Sequence, residues 1–389
     1  MDDRPLRVVD LFSGCGGFSS GFVMAGGFNI VAGNDIDDDC LEAFSLNHPE
    51  ALCWSGSISD LDADRLLDSL SLMRGELEVL IGGPPCQGFS RNRARRHRNG
   101  RFVDDPRNYL FVEFLRFVKA FLPRTLVVEN VADMIIKEGG RFKDEILDSL
   151  DSLGYTTCNA AVLNAADYGV PQRRRRAFII ASRDVPVGLP SPSHSGEAQN
   201  GMLIPLAPWR TIGDAISDLS SIDGGEGTSP SSYADLPRND YQRLLRGNAE
   251  SVSEHVAWRL SRVQSERLSF LKQGEGVEAL PPSLVPKSTY GSAYRRMSWD
   301  VPALTITTWM YHPGSGMFYH PENHRTITVR EGARLQSFPD STVFVGGKVS
   351  RCRQVGNAVP PLMAAAIARE VYSALTGSAA RFETLDRGA

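Results

Sequence analysis

"DLFSGCGGFSSGF", Asp10 to Phe22, is the stretch whose reading decides the fold. It follows a β-rich run, "LRVVDLF", and precedes a helix. That context gives its glycines a meaning: Gly14, Gly16 and Gly17, with Ser13, let the backbone approach a ligand closely at a helix N-terminus. The spacing is not the G-x-G-x-x-G of dinucleotide binders. The next strand, "FNIVAGNDID", ends in acids about 20 residues on, which places Asp35 to hold a ribose hydroxyl. Without a ligand the same stretch is a tight strand–helix turn. Phe12 is then a core aromatic instead of a ring flanking an adenine.

Working outward, "LEVLIGGPP", "TLVVENV", "AAVLNAADYG" and "RRAFIIAS" read as further strands. Between them "YLFVEFLRFVKAFLP" (Tyr109 to Pro123) repeats its apolar residues at helical spacing. Strands alternating with helices predict an α/β fold, a parallel sheet with helices on both faces. After about Ser182 the chain turns rich in Pro, Gly and Ser, which reads as loops. It stays irregular to about 330, with β-like pieces such as "PALTITTWM" and "HRTITVR". "PPLMAAAIAREVYSAL" (Pro360 to Leu375) is the last expected helix, returning to the first domain. A chain of 389 residues exceeds one ordinary core. The expected division is therefore 1–185 completed by 331–378, an inserted domain over 186–330, and a flexible tail at 379–389.

The formal net charge is −4, so the overall balance does not announce a nucleic-acid binder; local charge matters more. No apolar run approaches the roughly 18 residues of a membrane span. The charged N-terminus, leading straight into a strand, does not read as a signal peptide. The 6 cysteines form no C-x-x-C pair, which argues against zinc and a disulfide framework and for a reducing cytoplasm. His312, His320 and His324 lack a clean ligand spacing, and no metal is expected.

Chemistry gathers in three places. In "GGPPCQGFSRNRARRHRNGR" (Gly82 to Arg101), Cys86 sits at the carboxyl end of a buried strand, where open α/β sheets bind ligands. "ENV" closes the next strand, so Glu129 emerges at the same edge. A lone cysteine is often a small buried hydrophobe, and Glu129 read blandly is a cap or a surface acid. Pro-Pro before Cys86 and Gln-Gly after it argue against burial. In "PQRRRRAF", an extended chain puts Gln172, Arg174 and Arg176 on one face; otherwise the run is a solvated charge cluster. "QVGNAVPP" places Asn357 and Ala358 in a turn before the last helix.

"DLFSGCGG", "PPCQGFS", "ENV", "QRRRR" and "GNAVPP", in this order, resemble the motif series of the DNA (cytosine-5) methyltransferases, over roughly 1–182 and 330–376. The resemblance implies a Rossmann-like S-adenosylmethionine-dependent methyltransferase fold with an inserted, smaller, mostly irregular or β target-recognition domain. It makes Cys86 the nucleophile, Glu129 the partner of N3 and the exocyclic amine, Arg176 the holder of the O2 carbonyl, and Arg174 a support for the thiolate or a phosphate. For the cofactor, whose product is S-adenosylhomocysteine, it implies Phe12 and Ile36 on the adenine and Asp35 on the ribose. Pro85, Leu110 and Asn357 line the methionine end, and Ala358 is a further cofactor contact. Where the family often carries "GDI", this chain has "GSIS", so Ser57 and Ile58 stand at the adenine amine's place.

Double-stranded DNA is the implied partner. A closing loop of Gln87, Ser90, Arg91, Asn92, Arg93, Arg95, Arg96, Arg98 and Arg101 would meet it once the base leaves the stack. Gln172 is expected there too. Arg295 and Arg296, in "STYGSAYRRMSWDVPALTITTWMYHPGSG", are the expected readers of bases or phosphates. The expected protein is a bacterial cytoplasmic monomer, associated with the nucleoid through DNA. A restriction endonuclease acting on the same site, without stable binding, is its expected companion. The alternatives are an RNA (tRNA) methyltransferase on the same fold, which the long insertion disfavours, a non-catalytic DNA binder, and a Rossmann oxidoreductase.

Overall fold

The computed structural model describes residues 4–85, 109–197 and 205–378. Its contacts divide into two compact units. One is Met1–Asn164, Arg175–Ser191 and Pro361–Ala389; the other is Ala165–Arg174 and Pro192–Pro360.

The first unit is built on a sheet whose strands, in chain order, are β1 (Leu6–Leu11), β2 (Phe28–Asp35), β3 (Leu52–Ser55), β4 (Val79–Gly82), β5 (Thr125–Val131), β6 (Thr157–Asn164) and β8 (Arg175–Ser182). A two-residue strand of the second unit, β7 (Gln172–Arg173), intervenes in the chain. The sheet order is β3-β2-β1-β4-β5-β8-β6. The five strands from β3 to β5 are parallel, and β8 runs antiparallel to both β5 and β6. The strand order reverses between β1 and β4, which is where open α/β sheets leave a crevice at their carboxyl ends.

Both faces of this sheet are covered. Val9, Leu11, Leu80, Leu126 and Val128 pack with Phe114, Phe117, Phe121, Ile146 and Leu150. Those partners lie on α4 (Tyr109–Phe121) and α6 (Arg141–Asp151); α1 (Gly17–Ala25), α2 (Asp38–Asn47) and α3 (Ala63–Ser69) precede them, and α5 (Asp133–Ile136) lies between the two. Val8, Ile81 and Val127, the alternating positions, are also fully buried. That is why these strands read as apolar runs and not as alternation. Phe18 and Phe22 of α1 meet Phe178 and Phe28 edge-on, and Phe28 meets Tyr372. Tyr372 lies on α12 (Pro361–Thr376), the expected last helix, which packs against α1.

The second unit holds α7 (Ile212–Ile216), α8 (Asp240–Arg246), α9 (Arg262–Ser269), α10 (Val329–Leu335) and α11 (Lys348–Asn357), with strands of two residues. Here the sequence reading and the structure differ. "HRTITVR" does not form a strand; Thr328 and Glu331 make a capping box that starts α10. "AAVLNAADYG" is a strand only to Asn164 and then a 3-10 turn. The boundary expected at 330/331 falls thirty residues later. Arg334 of α10 is fully buried, with two hydrogen bonds to Asp340, one to the Ala215 carbonyl and an ion pair to Asp218. Arg325 pairs with Glu331 through two bonds of 2.6 and 2.8 Å. These buried charges bind 331–360 to the insertion, and no apolar periodicity reveals them.

Candidate active site

Register brings the decisive residues of the first unit to one sheet edge: Leu11 lies beside Asn34 and Gly82, and Gly82 beside Val128. Beyond Leu11 the chain makes the glycine turn. Phe12 adopts φ +61°, a region costly for a bulky side chain. Gly14 and Gly16 have φ of +56° and +88°. At Gly16 a side chain would also lie 2.6 Å from His48 Nε2. The turn is held from outside: the Gly14 N–H donates to Asp35 Oδ2 (2.8 Å) and the Ser13 N–H to the Asn34 carbonyl (2.9 Å). Asp35 Oδ1 accepts from the Asp37 N–H, and burial raises the Asp35 carboxyl above its ordinary pKa. Gly17 opens α1. The Ser13 hydroxyl, in a residue 7% exposed, has no hydrogen-bond partner among the described residues.

Around the turn, Ile36 is 71% exposed and Leu110 half-buried against the core. Ser57 is taken locally, its oxygen accepting from the Ser59 N–H. Ile58, expected beside Ser57 at the cofactor, turns its side chain inward. It is buried in the core, and its carbonyl accepts from Arg116. Sequence reasoning missed that Arg116 and also Asn34, whose amide donates to the Trp54 and Gly56 carbonyls and fixes the loop carrying Ser57.

The second half of the edge is β4 and β5. The Glu129 carboxylate approaches Gly83, where Oε2 would lie 3.5 Å from an added Cβ. Arg176 Nε is 2.9 Å from Glu129 Oε1, an ion pair. Its N–H does not point at that oxygen, which is buried and accepts no hydrogen bond from the described residues. Asn130, another residue the sequence did not flag, donates to the Pro84 carbonyl (2.9 Å). Pro85 is exposed. Cys86, Gln87, Ser90, Arg91, Asn92, Arg93, Arg95, Arg96, Arg98 and Arg101 lie outside the described residues.

Along the arginine run exposure alternates as in an extended chain: Gln172 and Arg174, of the second unit, are buried, while Arg173 and Arg175 are exposed. Burial, however, turns Gln172, an expected DNA contact, inward together with Arg174. Gln172 has 0% exposure, donates to the Leu335 carbonyl and Gln336 Oε1, and accepts from the Ile306 N–H. Arg174, 1% exposed, holds the Ile306 and Ala358 carbonyls; the Cys86 thiolate it is expected to support lies outside the described residues. Asn357 ends α11 and is exposed. Arg296 places its three nitrogens on the carbonyls of His320, Leu271 and Glu322, which corrects its expected role as a base reader. Arg295 pairs with Glu278 and the Gly274 carbonyl. Among the described residues no His, Cys, Asp and Glu cluster is placed to hold a metal ion, and no helix is long and apolar enough to cross a membrane.

Fold and site define a Rossmann-like methyltransferase. The structure matches the crystal structure of a putative DNA modification methyltransferase encoded within an E. coli prophage. The TM-score is 0.75 and the identity 25%, over 95% of this chain and 99% of that one. The chain belongs to the C-5 cytosine-specific DNA methylase family, whose model matches residues 6–373. It is a DNA (cytosine-5) methyltransferase by this membership. Similar proteins include the Type II methyltransferase M.DdeI of Desulfomicrobium norvegicum, 36% identical over 94% of this chain and 88% of that protein. Another is M.AgeI of Thalassovita gelatinovora, 31% identical over 95% and 100%.

Proposed function

We propose that this enzyme methylates carbon 5 of a cytosine turned out of duplex DNA at a specific sequence, with S-adenosyl-L-methionine as donor and Cys86 as nucleophile. The observation that carries the reading is the Glu129 carboxylate beside Gly83, three residues ahead of Cys86, with one oxygen ion-paired but accepting no hydrogen bond from the described residues.

Carbon 5 of cytosine is too weak a nucleophile to take a methyl group unaided. The Cys86 thiolate forms a bond to carbon 6, and the ring electrons move to carbon 5. Glu129 holds the proton at N3 that favours this addition, and Arg176 steadies both Glu129 and the O2 carbonyl. Loss of the carbon-5 proton after methylation re-forms the ring double bond and expels the thiol. The bound cofactor supplies an electrophilic sulfonium methyl group. The residues present fit it: a buried Ser13 hydroxyl with no partner among the described residues, a backbone opened by Gly14 and Gly16, an Asp35 carboxylate at the sheet edge, and an exposed Ile36 for an aromatic ring. The arginines after Cys86 are the proposed phosphate contacts. The Type II relatives favour a companion endonuclease for the same site; a monomeric methyltransferase is part of the same proposal.

Cys86→Ser should abolish methyl transfer and keep DNA binding. Duplex containing 5-fluorocytosine should trap the wild-type protein covalently, because fluorine cannot leave as a proton. Ordinary turnover by Cys86→Ser would remove Cys86 from the chemistry. Labelled transfer to tRNA but not to duplex DNA would instead favour the RNA reading.

A further inference from the structure

With Arg295 and Arg296 committed to carbonyls and Glu278, the segment expected to read DNA has a different outward feature. Trp309 is 59% exposed. Such an indole is usually a partner surface, because water alone is a poor neighbour for so large an apolar face. Its backbone is fixed on both sides. Met310, fully buried, fills a notch that only Gly332 allows; a Cβ there would lie 2.4 Å from its sulfur. The Thr307–Thr308 peptide crosses Gly356 just as closely, at 2.4 Å. The Trp309 carbonyl accepts from the His312 N–H (2.9 Å) and the Ser315 hydroxyl (2.6 Å). A bulky ring shown to solvent from so rigid a loop is pre-organised for contact.

The ring is one end of an aromatic row. Trp309 lies 5.8 Å from Tyr311 with 31° between the planes, and Tyr311 lies 6.1 Å from Trp258. The exposed Lys348 ammonium sits 4.9 Å over Trp258 at the other end. His312, exposed beside them, accepts from the Gly314 N–H at Nδ1, so its neutral ring carries the proton on Nε2 as a donor. An exposed indole backed by two half-buried rings, with a cation beside them, complements a base face joined to a phosphate.

We infer that Trp309 stacks on a base of the DNA substrate and that Lys348 neutralises a phosphate of the same strand. This rests on the reading of the chain as acting on duplex DNA. Stacking on one base is worth about 1–3 kcal/mol, a factor of about 5 to 150 in affinity. A neutralised phosphate adds about 0.9 to the slope of log affinity against log salt.

The test uses the full-length protein and a labelled duplex carrying the sequence that the wild type methylates, found by bisulfite sequencing. Binding is read by anisotropy across a salt series. Trp309→Ala should weaken binding by about 5- to 150-fold with an unchanged salt slope. Trp309→Phe should stay within about threefold of wild type, because a phenyl ring still stacks. Lys348→Ala should flatten the slope by about 0.9. DNA should quench intrinsic fluorescence in the wild type and much less in Trp309→Phe. Melting temperature and cofactor affinity should be unchanged in all three. Unaltered affinity in Trp309→Ala, or full quenching in Trp309→Phe, overturns the inference. If Trp309→Ala does not fold, the quenching of Trp309→Phe decides. A wild type that methylates no duplex would instead overturn the DNA reading beneath it.

Discussion

Asn130→Ala should separate positioning from chemistry at the nucleophile. The Asn130 amide donates to the Pro84 carbonyl at 2.9 Å, and its oxygen accepts from the Val131 N–H at 2.8 Å. Asn130 is 4% exposed and Pro84 is buried, so the substitution leaves a buried acceptor without a donor, at about 1–3 kcal/mol. Val131 is 39% exposed, so water can replace the second bond and little is added. The Pro84 carbonyl lies two residues ahead of Cys86. A displacement on the order of 1 Å at a reacting group slows chemistry by up to about a hundredfold. The expected result is a loss of about 1–3 kcal/mol by urea unfolding, a turnover number lower by about ten- to a hundredfold, and an unchanged cofactor Michaelis constant. Covalent trapping on 5-fluorocytosine duplex should slow in parallel. Asn130→Asp, which keeps the volume and removes the donor, should fail alike. A destabilised variant that still traps and turns over at wild-type rate would show that this hydrogen bond does not position Cys86.

Burial holds the Asp10 carboxyl at about 7, against an ordinary value near 4. The stability it contributes is therefore full below about pH 4 and is lost as pH rises through about 7. Asp10→Asn, which still offers an oxygen to the Ser19 hydroxyl, should match the wild type near pH 4. At pH 8 it should be more stable by up to about 4 kcal/mol in urea unfolding, and a gap that does not widen with pH refutes this. Gly356→Ala should lower the melting temperature, since its Cβ would lie 2.4 Å from the Thr307–Thr308 backbone; an unchanged melt would show that the crossing loop yields. Arg296→Ala should destabilise the second unit by about 2–4 kcal/mol, by orphaning three carbonyls, without changing which sequence is methylated. Relaxed sequence preference in bisulfite reads, with stability intact, would restore Arg296 as a base reader.

What the sequence determined on its own follows from local signals. The strand, glycine and helix order of Asp10–Phe22, the helical periodicity of Tyr109–Phe121 and the apolar run of Val79–Gly82 depend only on neighbouring residues, and each element formed where it was expected. The family was legible for the same reason: its motifs are short and contiguous. An extended reading of the arginine run put Gln172 and Arg174 on one face, and both are buried. It could not say what the buried ones face. Gln172 and Arg174 bond to carbonyls more than 130 residues away in the chain, so only tertiary structure shows them as internal clamps. The same is true of Arg296, and of the ion pairs that draw 331–360 into the second unit. A buried arginine and a DNA-binding arginine are the same letter. What distinguishes them is which acceptors surround the guanidinium, and those acceptors arrive from distant segments only when the chain is folded.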